Sequence, residues 1–142
     1  MRIPRRVADA RHPRGLIDTS VVIDLELVEP GDLPLELAVS AITMAELAAG
    51  PHATADPAER ARRQDRLQRA EATFEPLSVD AAVARAYGRV YAAVGAAGRK
   101  ARGRRAVDLL IAATAVSAGL PLYTRNPDDF DGLSKMLEIV AV

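Results

Sequence analysis

The chain has 142 residues, enough for one domain with a proper core and too few for two ordinary ones. Apolar residues make up 49% and charged residues 27%, which suggests neither a disordered chain nor a membrane protein, and the absence of cysteine excludes disulfides, thiolate metal sites and cysteine nucleophiles. Net charge is zero, but basic residues gather at the start (Arg2, Arg5, Arg6, Arg11, Arg14), between Arg60 and Arg69, and between Arg99 and Arg105.

Residues 1–14, basic and carrying Pro4 and Pro13, read as an arm before a domain spanning 15–142. The arm lacks the apolar core and small-residue cleavage site of a signal peptide, so a cytoplasmic location is expected, with no membrane partner. Leu16-Ile17 reads as a buried strand, followed by a helix from Thr19 to Leu27 that Pro30-Gly31 breaks. Leu37 to Ile42 is a second strand and Thr43 to Ala49 a helix ended by Gly50-Pro51. Asp56-Pro57-Ala58-Glu59 has the form of a capping box, opening a polar, exposed helix to about Ala72.

Phe74 to Ser78 is a further strand candidate, and Val79 to Val94 an amphipathic helix with Val83, Tyr87, Val90 and Val94 at helical spacing. Gly95 to Gly103 is a basic loop. Arg104 to Ala118 is apolar nearly all round, as befits a helix buried on most sides. Leu120 to Thr124 reads as a strand, Asn126 to Asp129 as a helical turn, and Leu137 to Val140 as the last strand. Strands alternating with helices imply an α/β fold with a parallel sheet covered on both faces, whose ligands bind beyond the carboxyl ends of the strands.

Four acids, Asp18, Glu46, Asp108 and Asp129, stand at the edges of apolar runs, where a carboxylate needs a partner or a metal. Each also has a plainer explanation. Asp18 could cap a helix, Glu46 could close a capping box with Thr43, and Asp129 could sit in the first turn of a helix capped by Asn126. Asp108 could pair with Arg104 or Arg105 one turn back. If the four converge instead, they make an all-oxygen site for a hard divalent cation. Arg99, Lys100, Arg102, Arg104 and Arg105 beside Asp108 would then grip a nucleic-acid backbone, whereas the other basic clusters read as solvated faces.

Leu16-Ile17-Asp18-Thr19-Ser20, Thr43-x-x-Glu46-Leu47, Asp108-x-x-Ile111-Ala112-Ala113 and Leu122-x-Thr124-Arg125-Asn126-x-x-Asp129-Phe130, in this order and at these separations, resemble the PIN domain. More closely they resemble the VapC toxins of VapBC toxin–antitoxin modules. The resemblance implies a three-layer α/β/α sandwich with a short central parallel sheet. It also implies an endoribonuclease whose Asp18, Glu46 and Asp108 hold Mg²⁺, with Mn²⁺ as a substitute. Asp129 and Asn126 compete for the fourth position, and Ser20 and Thr124 would orient the carboxylates. A homodimer and a VapB-like antitoxin docking over the acids are implied too, the helices from Thr43 to Ala72 contributing to the groove.

Three other readings have less support from the residues. A metal-free ribonuclease usually needs a histidine, and the only two here lie in the arm (His12) and in a loop (His52), which disfavours it. An aspartyl-phosphate enzyme would need an acid where Ser20 stands. A silent nucleic-acid-binding module of the same shape would be better served by more than 4% aromatics.

Overall fold

A computed structural model describes residues 11–98 and 103–142. Four short strands, β1 (Arg14–Ile17), β2 (Glu36–Ala38), β3 (Leu122–Thr124) and β4 (Ile139–Ala141), form one all-parallel sheet in the order β2-β1-β3-β4. Leu16 pairs with Ala38 on one side and Leu122 on the other, so β1 is central. Five α-helices flank the sheet: α1 (Thr19–Ile23), α2 (Ala41–Ala49), α3 (Pro57–Thr73), α4 (Ala81–Ala96) and α5 (Arg104–Ala118).

Because successive strand residues face opposite ways, Leu16 and Leu122 enter one core while Ile17 and Tyr123 enter another. The first core is closed by Val83, Ala86, Val90 and Val94 of α4 and by Leu109, Ile111 and Ala112 of α5, and these two helices pack against each other more extensively than any other pair. The second is closed by Val21 and Val22 of α1, Leu47 of α2 and Ala70 of α3. The three-layer α/β/α sandwich expected from the sequence is therefore present. Among the described residues no helix is long and apolar enough to cross a membrane.

Several boundaries differ from the sequence reading, each for a local reason. The helix expected to run from Thr19 to Leu27 stops at Asp24 and tightens into a 3₁₀ turn over Leu25–Leu27, which lets Leu25 and Val28 both meet the second core. The second strand ends at Ala38, not Ile42, because Ser40 caps α2 by accepting the Ile42 amide at 3.0 Å. Phe74 to Ser78 is no strand: Pro76 has no amide to give, and only an isolated bridge between Ser40 and Leu77 forms. Leu120 belongs to the end of α5, where Gly119 takes the left-handed conformation (φ 67°) and Leu120 donates its amide to Ala115, so β3 begins only at Leu122. Leu137 likewise closes a turn onto Leu133, and β4 starts at Ile139.

The N-terminal segment from Arg11 is fastened to the domain. Arg11 donates to the carbonyls of Leu33 (2.9 Å) and Pro30 (3.0 Å), and His12 lies 2.9 Å from Glu138. At Gly15 the chain passes so close to Tyr123 that a Cβ would fall 2.5 Å from its ring, so the central strand needs glycine there.

Candidate active site

The sheet changes direction of growth at β1, with β2 added on one side and β3 on the other. At such a switch point the loops after the two adjacent strands part and leave a crevice. Asp18 follows β1 directly, its amide still bonded to the Tyr123 carbonyl at 3.0 Å. The turn carrying Asp129 follows β3, while α2 and α5 bring Glu46 and Asp108.

Asp18 is only 5% exposed, yet its bonds are directed. Its Oδ1 accepts the Val21 amide (3.1 Å) and the Ser20 hydroxyl (2.6 Å). The capping explanation for Asp18 is thus realised, and both bonds fall on one oxygen. Ser20 in turn accepts the Arg125 amide at 3.1 Å, tying Asp18 to the start of the β3 loop.

Glu46 is not a capping residue. With Ser40 at the N-cap, Thr43 lies inside α2 and Glu46 in its second turn, so the capping box between them does not exist. The Glu46 Oε1 instead accepts the Thr19 hydroxyl at 2.5 Å, and that hydroxyl also lies 3.1 Å from the buried Thr43 hydroxyl. Thr19 went unmarked in the sequence reading, although its place beside Asp18 was the available signal.

Asp108 shows how the four acids are related. Burial pushes its pKa from 3.8 up to about 6, and the negative charges of Asp129, Glu46 and Asp18, in falling order, push the same way. Only Arg104 opposes them, through its field. Among the described residues no hydrogen bond or ion pair engages the Asp108 carboxylate, so the plain explanation of a helical ion pair is not realised. Arg105 points elsewhere, donating to the Asp129 carbonyl at 3.1 Å.

Of the two residues expected to compete for the fourth position, Asp129 is the one whose charge acts on Asp108. It is half-buried and exerts the largest charge effect on Asp108, whereas Asn126 is exposed. Thr124 does not orient a carboxylate as expected: its buried hydroxyl accepts the Asn126 amide at 3.0 Å and so shapes the 3₁₀ turn over Pro127–Phe130 that carries Asp129. Of the predicted backbone-gripping residues, Arg104 is exposed, Arg105 braces the turn, and Arg99, Lys100 and Arg102 lie outside the described residues.

The donor set fits a hard divalent cation: all oxygens, with one half-buried carboxylate that forms no ion pair among the described residues and lies in the fields of three others. Among the described residues no three acidic or histidine side chains are already drawn together as a ready-made cluster. Mg²⁺ does not require one, since it retains several waters and takes one or two carboxylates.

A three-layer domain with acids at the switch point of a short parallel sheet defines a class. Residues 15–135 match the PIN domain, and the chain belongs to that family. Within it the chain is similar to the Mycobacterium tuberculosis protein Ribonuclease VapC5, with 37% identity over 133 residues that cover 90% of this chain and 95% of that one. Ribonuclease VapC4 of the same organism is 36% identical over 119 residues, covering 81% and 88%. The crystal structure of VapBC-5 from Mycobacterium tuberculosis, a member of the VapBC family of toxin–antitoxin systems, superposes with a TM-score of 0.81 at 36% identity, covering 92% of this chain and 99% of that one.

Proposed function

We propose that this chain is a divalent-metal-dependent endoribonuclease of the VapC type, the toxin of a toxin–antitoxin pair. The observation that carries the reading is the Asp108 carboxylate, half-buried, engaged by no hydrogen bond or ion pair among the described residues, and under the fields of Asp129, Glu46 and Asp18. Mg²⁺ or Mn²⁺ would be held by Asp18 and Asp108, with Glu46 and Asp129 completing the site. When bound, the ion supplies positive charge that offsets the carboxylates and polarises the phosphodiester and the attacking water.

The chain's own residues set the frame. Ser20 fixes which Asp18 oxygen stays occupied, leaving the other to face a ligand, and Thr19 fixes the Glu46 rotamer. Arg105 holds the Asp129 turn against the start of α5. Water adds to phosphorus and the bond to the 3′ oxygen breaks, leaving a 3′-hydroxyl and a 5′-phosphate. Arg104 supplies backbone affinity without base readout.

Likeness to a VapBC assembly supports a VapB-like antitoxin partner for this chain. A homodimer is part of the same proposal. A depression of about 230 Å³ between α1 and α3, lined by Val22, Ile23, Leu25 and Phe74 together with Glu26, Arg66 and Arg69, offers a mixed apolar and charged seat for such a partner. The test is cleavage of a single-stranded RNA by the purified chain in Mg²⁺ or Mn²⁺, with EDTA as the control. Cleavage that persists in excess EDTA would remove the metal from the mechanism, and absence of cleavage in both metals would remove the activity.

A further inference from the structure

A second depression, of about 350 Å³, opens beside the acids and is lined by Thr19, Glu46, Glu59, Arg63, Arg66 and Arg104 among others. It is of the size that ligand pockets take, about 300–1,000 Å³. It shares with the acid centre Glu46 and the Thr19 that orients it. Three arginines, two from α3 and one from α5, line the same pocket, so it combines a carboxylate of the acid centre with guanidinium groups.

The arginines are not equivalent. Arg63 is committed to structure: its Nε pairs with Glu59 at 2.8 Å and its Nη1 donates to the Gly50 carbonyl at 3.0 Å. Arg62 also pairs with Glu59, and the two guanidinium groups hold that carboxyl below its ordinary pKa, so the one further acid in the pocket is already neutralised. One turn further along the same helix Arg69 is paired with Asp65 (3.1 Å) and Glu26 (3.5 Å). Arg66 and Arg104, by contrast, make no hydrogen bond or ion pair among the described residues. Arg66 is moreover half-buried. A guanidinium partly withdrawn from water with no anion beside it has unspent capacity for a bidentate oxyanion.

We propose that this pocket is a phosphate subsite, in which Arg66, assisted by Arg104, takes the RNA phosphodiester next to the one being cut. The proposal rests on the ribonuclease reading and deepens it. A phosphate against Glu46 would meet a carboxylate, so Arg66 is where a second phosphate of the same strand can sit while the first lies over the acids. Arg66 thus differs from the rest of the Arg60 to Arg69 run, which reads from sequence as a solvated face and is largely ion-paired.

The test compares the parent chain with R66A, R66K and the paired-arginine control R69A, each with an unchanged circular dichroism spectrum, on single-stranded RNA. The subsite predicts that R66A raises KM about tenfold, the scale of one charge-assisted contact, with kcat little changed. R66K should recover part of the loss and R69A should match the parent. Fluorescence anisotropy of labelled RNA, with D108N added to prevent cutting, should show the slope of log K against log salt shallower by about 0.7 in the R66A background. Unchanged KM and salt slope would overturn the subsite, as would an R66A defect confined to binding of an antitoxin helix. If the parent does not cut RNA at all, the ribonuclease reading falls, and the anisotropy comparison still decides whether Arg66 holds a phosphate.

Discussion

Replacing Asp108 by asparagine should stabilise the metal-free protein while abolishing its activity. In the native chain the carboxyl loses its proton near pH 6, against 3.8 for the ordinary group. Between those values the folded state binds more protons than the unfolded one, so stability falls as pH rises through the window and is level above it. A difference of about two pH units at 1.36 kcal/mol each sets a ceiling of about 3 kcal/mol. The carboxyl is half-exposed, and solvent screening reduces this to about 1–2 kcal/mol. The amide keeps the shape and carries no charge, so D108N should melt about 3–6 °C higher than the parent in EDTA at pH 7.5. The gain should shrink steadily as pH is lowered from 6.5 to 4.5. Adding Mg²⁺ should raise the parent's melting temperature more than the variant's, because the ion removes the repulsion that the substitution has already removed. Thermal unfolding followed by circular dichroism over this pH range checks all three points. A variant less stable than the parent at pH 7.5, or a gain that does not vary with pH, would refute the claim that burial, with the neighbouring acids, burdens the Asp108 carboxylate.

Two hydroxyls offer further checks. Ser20→Ala removes the donor on Asp18 and the acceptor of the Arg125 amide, so RNA cleavage should drop about 10–100-fold and need more Mg²⁺ for half-maximal rate. The same change should cost about 1–2 kcal/mol in urea unfolding, since a partly buried amide loses its partner. Thr19→Val keeps the volume but frees Glu46, and is expected to lower kcat about tenfold with the RNA KM unchanged, whereas Thr19→Ser restores the rate. A valine variant as fast as the parent would show that Glu46 needs no orientation.

The architecture was legible because its signals are local. Periodicity placed α5 at Arg104–Ala118, and Asp56-Pro57 placed the start of α3. Element ends were less legible where a side chain chose between two local partners. Ser40 and Thr43 are both adequate caps, and the choice of Ser40 follows from packing: its hydroxyl is fully buried 3.3 Å from that of Thr114 on α5. That choice also decided Glu46, since it removed the capping box and left the carboxylate to Thr19. The Phe74 to Ser78 segment failed as a strand because a single proline outweighed its apolar residues.

What the sequence by itself determined is the set of acids and their order, because carboxylates at the margins of apolar runs are costly wherever the chain goes. It could not apportion them. Asp18 is both helix cap and crevice residue, the charge of Asp129 bears on Asp108 while Asn126 is exposed, and Asp108 forms no ion pair among the described residues although two arginines stand one turn away. These outcomes depend on which way side chains of α1, α2, α5 and the β3 loop face when the sheet brings their ends together, and residues 18 and 108 are strangers until then. The same holds for Arg66: ten residues of basic helix look uniform in the chain, and only the packing of α3 beside the crevice separates Arg66, which forms no ion pair among the described residues, from those already paired.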